Sequence, residues 1–456
     1  MRENKSGTRV YFTLFACMGI LFFSCATKSA AYKDIDRSVE GSDFENGVEA
    51  IKKGQESRKP IYPEKNAVSL FLDKGLLEHY AGRYKDSSQS LQEAERLIQE
   101  AFTKSITADI ASYVVNDNTK EYPGEDFEDI YINVFNALNY YNRGDIDGAL
   151  VEIRKLTLSS GKLDMLSRKY EDARRSAGDG AMNTLNKFGA SMNDALPQGN
   201  PVNYSNSALA RYLSVLFYLG NGNIDSARIE FEQLQAAFAS NTKVYYHSIP
   251  KSAADIRTVP DGKARLNVIG FTGLSPVKKE GQFTAFFPFT YIILCQPIFK
   301  LPQFVKRPSV INRIEVIVEG GDKFNLELLE DMGAVIEETY NARFANIFFK
   351  TYIRLLIKYA AVDVAANVAR EQSGELAGLA AVIAGRVSAD ATEGADIRMS
   401  RYMPDKAYVG GINLDPGTYN ITINYYSGSR IVAKDERRNI VVRANAPNLI
   451  EIINLK

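Results

Sequence analysis

Along the first half of the chain, apolar residues recur every three or four positions in paired runs, and each pair is broken by a short polar turn containing glycine. The clearest pair runs from Phe127 to Leu156, FEDIYINVFNALNYYNRGDIDGALVEIRKL, where two helical patterns meet at Asn142-Arg143-Gly144-Asp145. Ala137 and Ala149 are small where the two helices must approach, and Tyr140, Ile146 and Ile153 fill the spacing between. Aligned on the turn glycine, two further segments share the pattern. One carries Gly75, Gly82, Tyr84, Leu91 and Ala94; the other carries Val215, Tyr218, Gly222, Ile224, Ala227 and Phe231. Gly41 to Ile51 reads as a partial fourth. The glycine supplies a positive φ or a tight approach, and the small residue lets the hairpin close. A generic helical bundle with accidental spacings is the alternative.

The turn glycines stand roughly twice as far apart as the ~34 residues of contiguous tetratricopeptide repeats. Each gap therefore holds an extra helix or a long loop: Lys162 to Ala177 reads as a charged helix, and Gly178 to Tyr204, with GDG and PQGNP, as loop. Stacked hairpins form a concave face lined by their first helices. Counting back from the glycines places His79, Tyr80, Tyr131, Tyr141 and Tyr212 there, among leucines and valines that partly pack between units. Tyrosine combines an apolar body with a polar tip, so these five are the candidate partner-binding residues.

Near Val259-Pro260-Asp261-Gly262 the period changes from helical to alternating. LNVIGF, QFTAFFPFTYIILC and NRIEVIVEG read as strands, separated by a Gly273–Gly281 loop and a proline-rich stretch. Phe283 to Phe304 is the most apolar run beyond residue 24, and its prolines exclude a spanning helix. Glu327 to Ala369 reads as one or two helices and ELAGLAAVIAGRVSADA as another, too short to cross a membrane and expected in the core. After Pro404 the pattern alternates again around the turns Asp415-Pro416-Gly417 and Ser427-Gly428, which predicts antiparallel hairpins. The expected organisation is multidomain. An all-α tetratricopeptide-like helical repeat domain over 43–245 precedes an α+β domain over 263–456 that ends in an antiparallel sheet.

Charge adds little. Lysine plus arginine and aspartate plus glutamate both number 55, and the charges are interspersed, which argues against nucleic acid as a partner. Three cysteines and two distant histidines provide neither a disulfide framework nor a metal site, so no metal and no cofactor are expected. The start is more specific. Arg2, Lys5 and Arg9 precede the apolar run Val10 to Phe23, which ends at Ser24-Cys25-Ala26, the pattern of an export signal over 1–24. A cysteine after the small residue resembles a bacterial lipoprotein signal, which makes Cys25 the expected lipid attachment. Cys17, an uncleaved anchor and an ordinary cleaved signal are the alternatives. Residues 25–42, small and polar, read as a tether.

Taken with LNVIGFTGLSPVKKE and EGADIRMSRYMPDKAYVGGINLDPGTYNITI, these features resemble the bacterial tetratricopeptide-type lipoproteins of Gram-negative envelopes. That family's tail reads Ala-Asp-x-Arg-Ser-Trp before Leu-Pro; Ala395, Asp396, Arg398 and Pro404 match, while Ser400 stands where tryptophan is expected. The resemblance implies export, a lipid anchor on the periplasmic face of the outer membrane, and assembly with another envelope protein. Asp396 and Arg398 form a candidate site pair or a plain ion pair. No nucleophile, calcium loop or phosphate loop is recognisable, so no catalytic residue is assigned. The expected function is a membrane-anchored scaffold binding through its concave face. A ligand-binding or enzymatic module in the α+β region is the alternative.

Overall fold

The computed structural model describes residues 32–106, 116–158, 161–165, 168, 204, 206–284 and 298–456. The export signal, Cys17, Cys25 and nearly all of the Lys162–Tyr204 stretch lie outside the described residues. The chain divides into two compact units, Met1–Pro63 and Glu64–Lys456. This differs from the expected division, because the helical hairpins after residue 63 and the sheets belong to one unit.

In the first unit, α1 (Lys33–Glu40) and α2 (Phe44–Gln55) form a helical hairpin. The expected tether is therefore helical from Lys33 to Glu40. Ile35 and Val39, four apart, give that helix an apolar edge, and both are buried. Gly54 has no Cβ because Ile61 lies over it: a Cβ there would meet the Ile61 side chain at 2.1 Å.

The second unit opens with three more hairpins: α3 (Ala67–Tyr80) with α4 (Tyr84–Ile106), α5 (Asp126–Asn142) with α6 (Ile146–Thr157), and α7 (Ala208–Gly220) with α8 (Ile224–Ser240). All four hairpins turn alike. Ser42, Gly82, Gly144 and Gly222 have φ of 58°, 76°, 78° and 72°. Each donates its N–H to the carbonyl three residues back, and the next residue donates to the carbonyl five back, which is the Schellman closure. Five residues after each of these positions stands a small buried residue: Gly47, Ser87, Ala149 and Ala227. The partial fourth copy is thus a full hairpin, with its left-handed residue at Ser42 rather than Gly41. In the first sequence-aligned segment it is Ser87, not Ala94, that takes this place, with its hydroxyl bonded to the Gly75 carbonyl at 2.7 Å.

After the short α9 (Lys251–Ala254) come β1 (Ala264–Thr284), β2 (Ile298–Arg307), β3 (Arg313–Val318), β4 (Lys323–Asn325) and β5 (Glu327–Asp331). Then follow α10 (Met332–Ser373), α11 (Glu375–Ala391), β6 (Pro404–Leu414), β7 (Gly417–Ser427), β8 (Arg430–Val442) and β9 (Leu449–Asn454). One sheet runs β2-β1-β6-β5, with β9 joining β1 in parallel; the other runs β4-β3-β7-β8. Of the two hairpins expected after Pro404, the one at Ser427-Gly428 joins the antiparallel pair β7–β8. Asp415-Pro416 instead carries the chain from β6 in one sheet to β7 in the other, so no β6–β7 hairpin forms. Three other expectations fail. The proline-rich stretch expected to separate strands is itself β2, with Pro302 opposite Glu280 of β1. The Gly273–Gly281 segment continues β1, because β2 pairs with it beyond an irregularity between Leu274 and Val277. Glu327–Asp331 is a strand on β6, after which one helix runs 42 residues.

Alternation along β1 buries both of its faces. Leu266 and Val268 meet Ile314, Val316, Ile421 and Ile423 of the second sheet. Phe271, on the opposite face, packs on Phe135 of α5 at 5.3 Å between ring centroids. Within the second unit, its three hairpins, the first sheet and the second sheet are stacked as three layers.

Candidate functional site

The first helices of the three hairpins in the second unit do line one face, but the chain's own strands and connecting segments cover it. This corrects the expected partner groove, and the reason is polar as well as apolar. His79, buried in α3, bonds through Nδ1 to Asn139 Oδ1 and through Nε2 to Glu451 Oε1 of β9, both at 2.7 Å. Two acceptors call for a proton on each ring nitrogen, the imidazolium form. Burial opposes that charge, but the Glu451 carboxylate outweighs it and the His79 pKa is raised. Asn139 donates in turn to Ser87 at 2.8 Å, and Asn142 donates to the other Glu451 oxygen at 3.1 Å.

The tyrosines are tied in the same way. Tyr80 donates to the Tyr402 carbonyl at 2.9 Å. The Tyr141 hydroxyl accepts the Leu449 N–H at 2.8 Å, and its ring stacks on Phe217. Tyr131 donates to Glu330 at 2.9 Å. Glu330 stands at the N-terminus of α7 and also accepts from Tyr245 at 2.6 Å, the Ser207 hydroxyl at 3.0 Å and the Leu209 N–H at 3.2 Å. Burial raises the Glu330 pKa against these bonds. Tyr212 is fully buried, and its hydroxyl finds no partner among the described residues. None of the five candidates therefore offers a free surface.

A second cluster grips the Asp396 to Ser400 stretch. The Ser400 N–H donates to Glu128 at 2.5 Å and its hydroxyl to Asp73 at 2.8 Å. Glu128 also accepts from Tyr122 and the Glu125 N–H, each at 2.8 Å, which makes it part of the α5 capping box. Burial and the Glu125 charge push the Glu128 carboxyl up to about 7. Glu125 is in turn paired with Lys278 and Arg343. Asp396 and Arg398 form an ion pair at 2.7 Å, and the guanidinium also donates to the carbonyls of Lys120 at 2.7 Å and Asp117 at 2.9 Å. It lies over the Tyr122 ring as well. Its donors are spent on the chain's own backbone, so this pair fastens the stretch to the helices.

Sequence reasoning missed Asp73, Glu128, Glu330 and Glu451, the acids that do the fastening. The available signal was an acid set among apolar residues, as in LFLDKGLL, FEDIYI, LELLED and NLIEIINL. Among the described residues there is no cluster of three or more metal-ligating side chains. No protein-family model, characterised protein or solved structure matches the chain.

Proposed function

We propose that this protein is a non-catalytic scaffold of the bacterial envelope, exported and held to a membrane by lipid on Cys25, with tetratricopeptide-like hairpins as its frame. The observation that carries the reading is the hairpin repeat itself: four copies with one turn geometry and one small buried residue at the same place. Such repeats present surfaces for protein contact. Because the inner faces of the last three clasp the chain's own sheet, the scaffold meets its envelope partner through surfaces other than the expected groove. The sheet layer and the helices act as one platform.

Two measurements test this. Cys25→Ala should abolish acyl labelling and move the protein from the membrane to the soluble fraction, since acyl chains contribute about 0.8 kcal/mol per buried methylene. Retention of the variant on membranes with Cys17 intact would move the attachment point or replace it by an uncleaved helix. In-cell cross-linking should recover another envelope protein on the exposed surfaces and none through Tyr131 or Tyr212.

A further inference from the structure

The hairpin of α10 and α11 leaves the body of the protein after Tyr359, and among the described residues α11 packs substantially on α10 alone. The two helices meet closely. A Cβ on Gly385 would come within 2.7 Å of Val362, and one on Gly378 within 2.9 Å of Arg370. Tyr359 bonds to Asp390 at 2.8 Å at the base. These contacts define the inner face of each helix.

The outer faces are apolar, which overturns the core placement expected of α11. Ile357, Val364 and Val368 on α10, and Leu376, Ile383 and Val387 on α11, are all exposed; Leu376 is 83% exposed and Val364 65%. Each lies two residues from an inner position, about 200° round the helix, so the two stripes face in opposite directions. Both repeat with the same spacing, seven residues then four, which is that of a helix-packing seam. Between their members stand exposed alanines (Ala361 and Ala365; Ala380 and Ala384) rather than charges. A helix pair that is apolar on both outer sides has an unfilled packing requirement on each.

Lipid fits this badly. The tip carries Arg370 and Glu375, paired at 2.9 Å, beside exposed Glu371. Entry tip-first would take those charges into hydrocarbon at about 2.5 kcal/mol or more each. A hairpin lying flat on a bilayer would cover one stripe and leave the opposite one in water. No helix among the described residues is long and apolar enough to cross a membrane. Further copies of the chain cover both stripes, one copy on each side. Set side by side in the same orientation, the α11 of one copy runs antiparallel to the α10 of the next, repeating the pairing inside each hairpin.

We infer that the α10–α11 hairpin is a self-assembly arm, in which the α10 stripe of each copy docks on the α11 stripe of its neighbour in a head-to-tail contact. The seam over the 17 residues of α11 is about 25 Å long. One such contact buries less than the ~800 Å² per partner of a standard interface, so assembly should rise with concentration and gain from closure.

The test is sedimentation of the full chain in detergent over a range of concentrations. Wild-type protein should grow beyond a dimer. Val364→Glu with Val368→Glu, and separately Ile383→Glu with Val387→Glu, should each stop at the monomer, with circular dichroism melts confirming the fold. Mixed in equal amounts, the two variants should form a dimer and nothing larger, because only one intact stripe of each kind remains. A wild-type monomer throughout, variants that assemble like wild type, or a mixture that stays monomeric would overturn the inference. Val364→Cys and Ile383→Cys proteins, oxidised together, give an independent readout: the 364–383 cross-link should exceed either self-cross-link. If phosphatidylethanolamine–phosphatidylglycerol vesicles dissociate the assembly and blue-shift a dye at position 383, the stripes belong to lipid and the inference fails.

Discussion

Burial and the Glu125 carboxylate leave Glu128 with a pKa of about 7, against an ordinary value of 4.5. A carboxyl raised in the folded state stabilises the protein below about pH 4.5, and that stability is lost as pH rises through 7. For Glu128 the loss is on the order of 3 kcal/mol. Asp405, pushed up to about 6 by burial and Asp331, acts in the same direction. So does His79, whose pKa is raised, because its pairing with Glu451 weakens once it loses its proton. Urea midpoints should therefore fall from pH 5 to pH 8, and Glu128→Gln should flatten the slope; a wild-type midpoint that rises over this range would contradict the assignment. Tyr131→Ala combined with Tyr141→Ala should unfold the protein rather than spare its fold, at about 3 kcal/mol or more for each lost ring. Thermal melts decide between these outcomes. At this scale the sequence revealed the tyrosines but not their partners. Tyr131 meets an acid 199 residues away and His79 one 372 away, and nothing in local spacing encodes such pairings.

The helical hairpins were the most legible elements, because their turns depend on a few adjacent residues. No neighbour lies within 4 Å of where a Cβ would stand on Gly82, Gly144 or Gly222. Alanine at any of them should thus lose about 1 kcal/mol through backbone strain alone. Ser42 bears the same strain already, so Ser42→Gly should raise stability by up to about 1 kcal/mol. Denaturant titration checks both, and a destabilising Ser42→Gly would deny the shared turn. The strands were less legible. Gly273, Pro276 and Gly281 punctuate β1 as a loop would, yet pairing with β2 and β6 carries the strand through them. The start of α10 was misplaced for a like reason: ELLED suits either period, and only its pairing with β6 makes it a strand.

For the molecule as a whole, a change of period near residue 260 looked like a domain boundary, whereas packing across that point makes one unit of residues 64–456. Calorimetry should show one cooperative transition for this unit, not separate melting of helices and sheets; two resolved peaks would restore the division read from the sequence. The long-range clasp also has a consequence in time. The partner of His79 is synthesised 372 residues later, which at about 5–20 residues per second is a delay of roughly 20–75 s. Throughout that interval His79 of α3 lacks its Glu451 partner, and the part of the inner face that β9 closes stays bare. A nascent chain in this condition is slow to lock itself shut, which suits the export proposed above, since a translocation channel needs unfolded polypeptide.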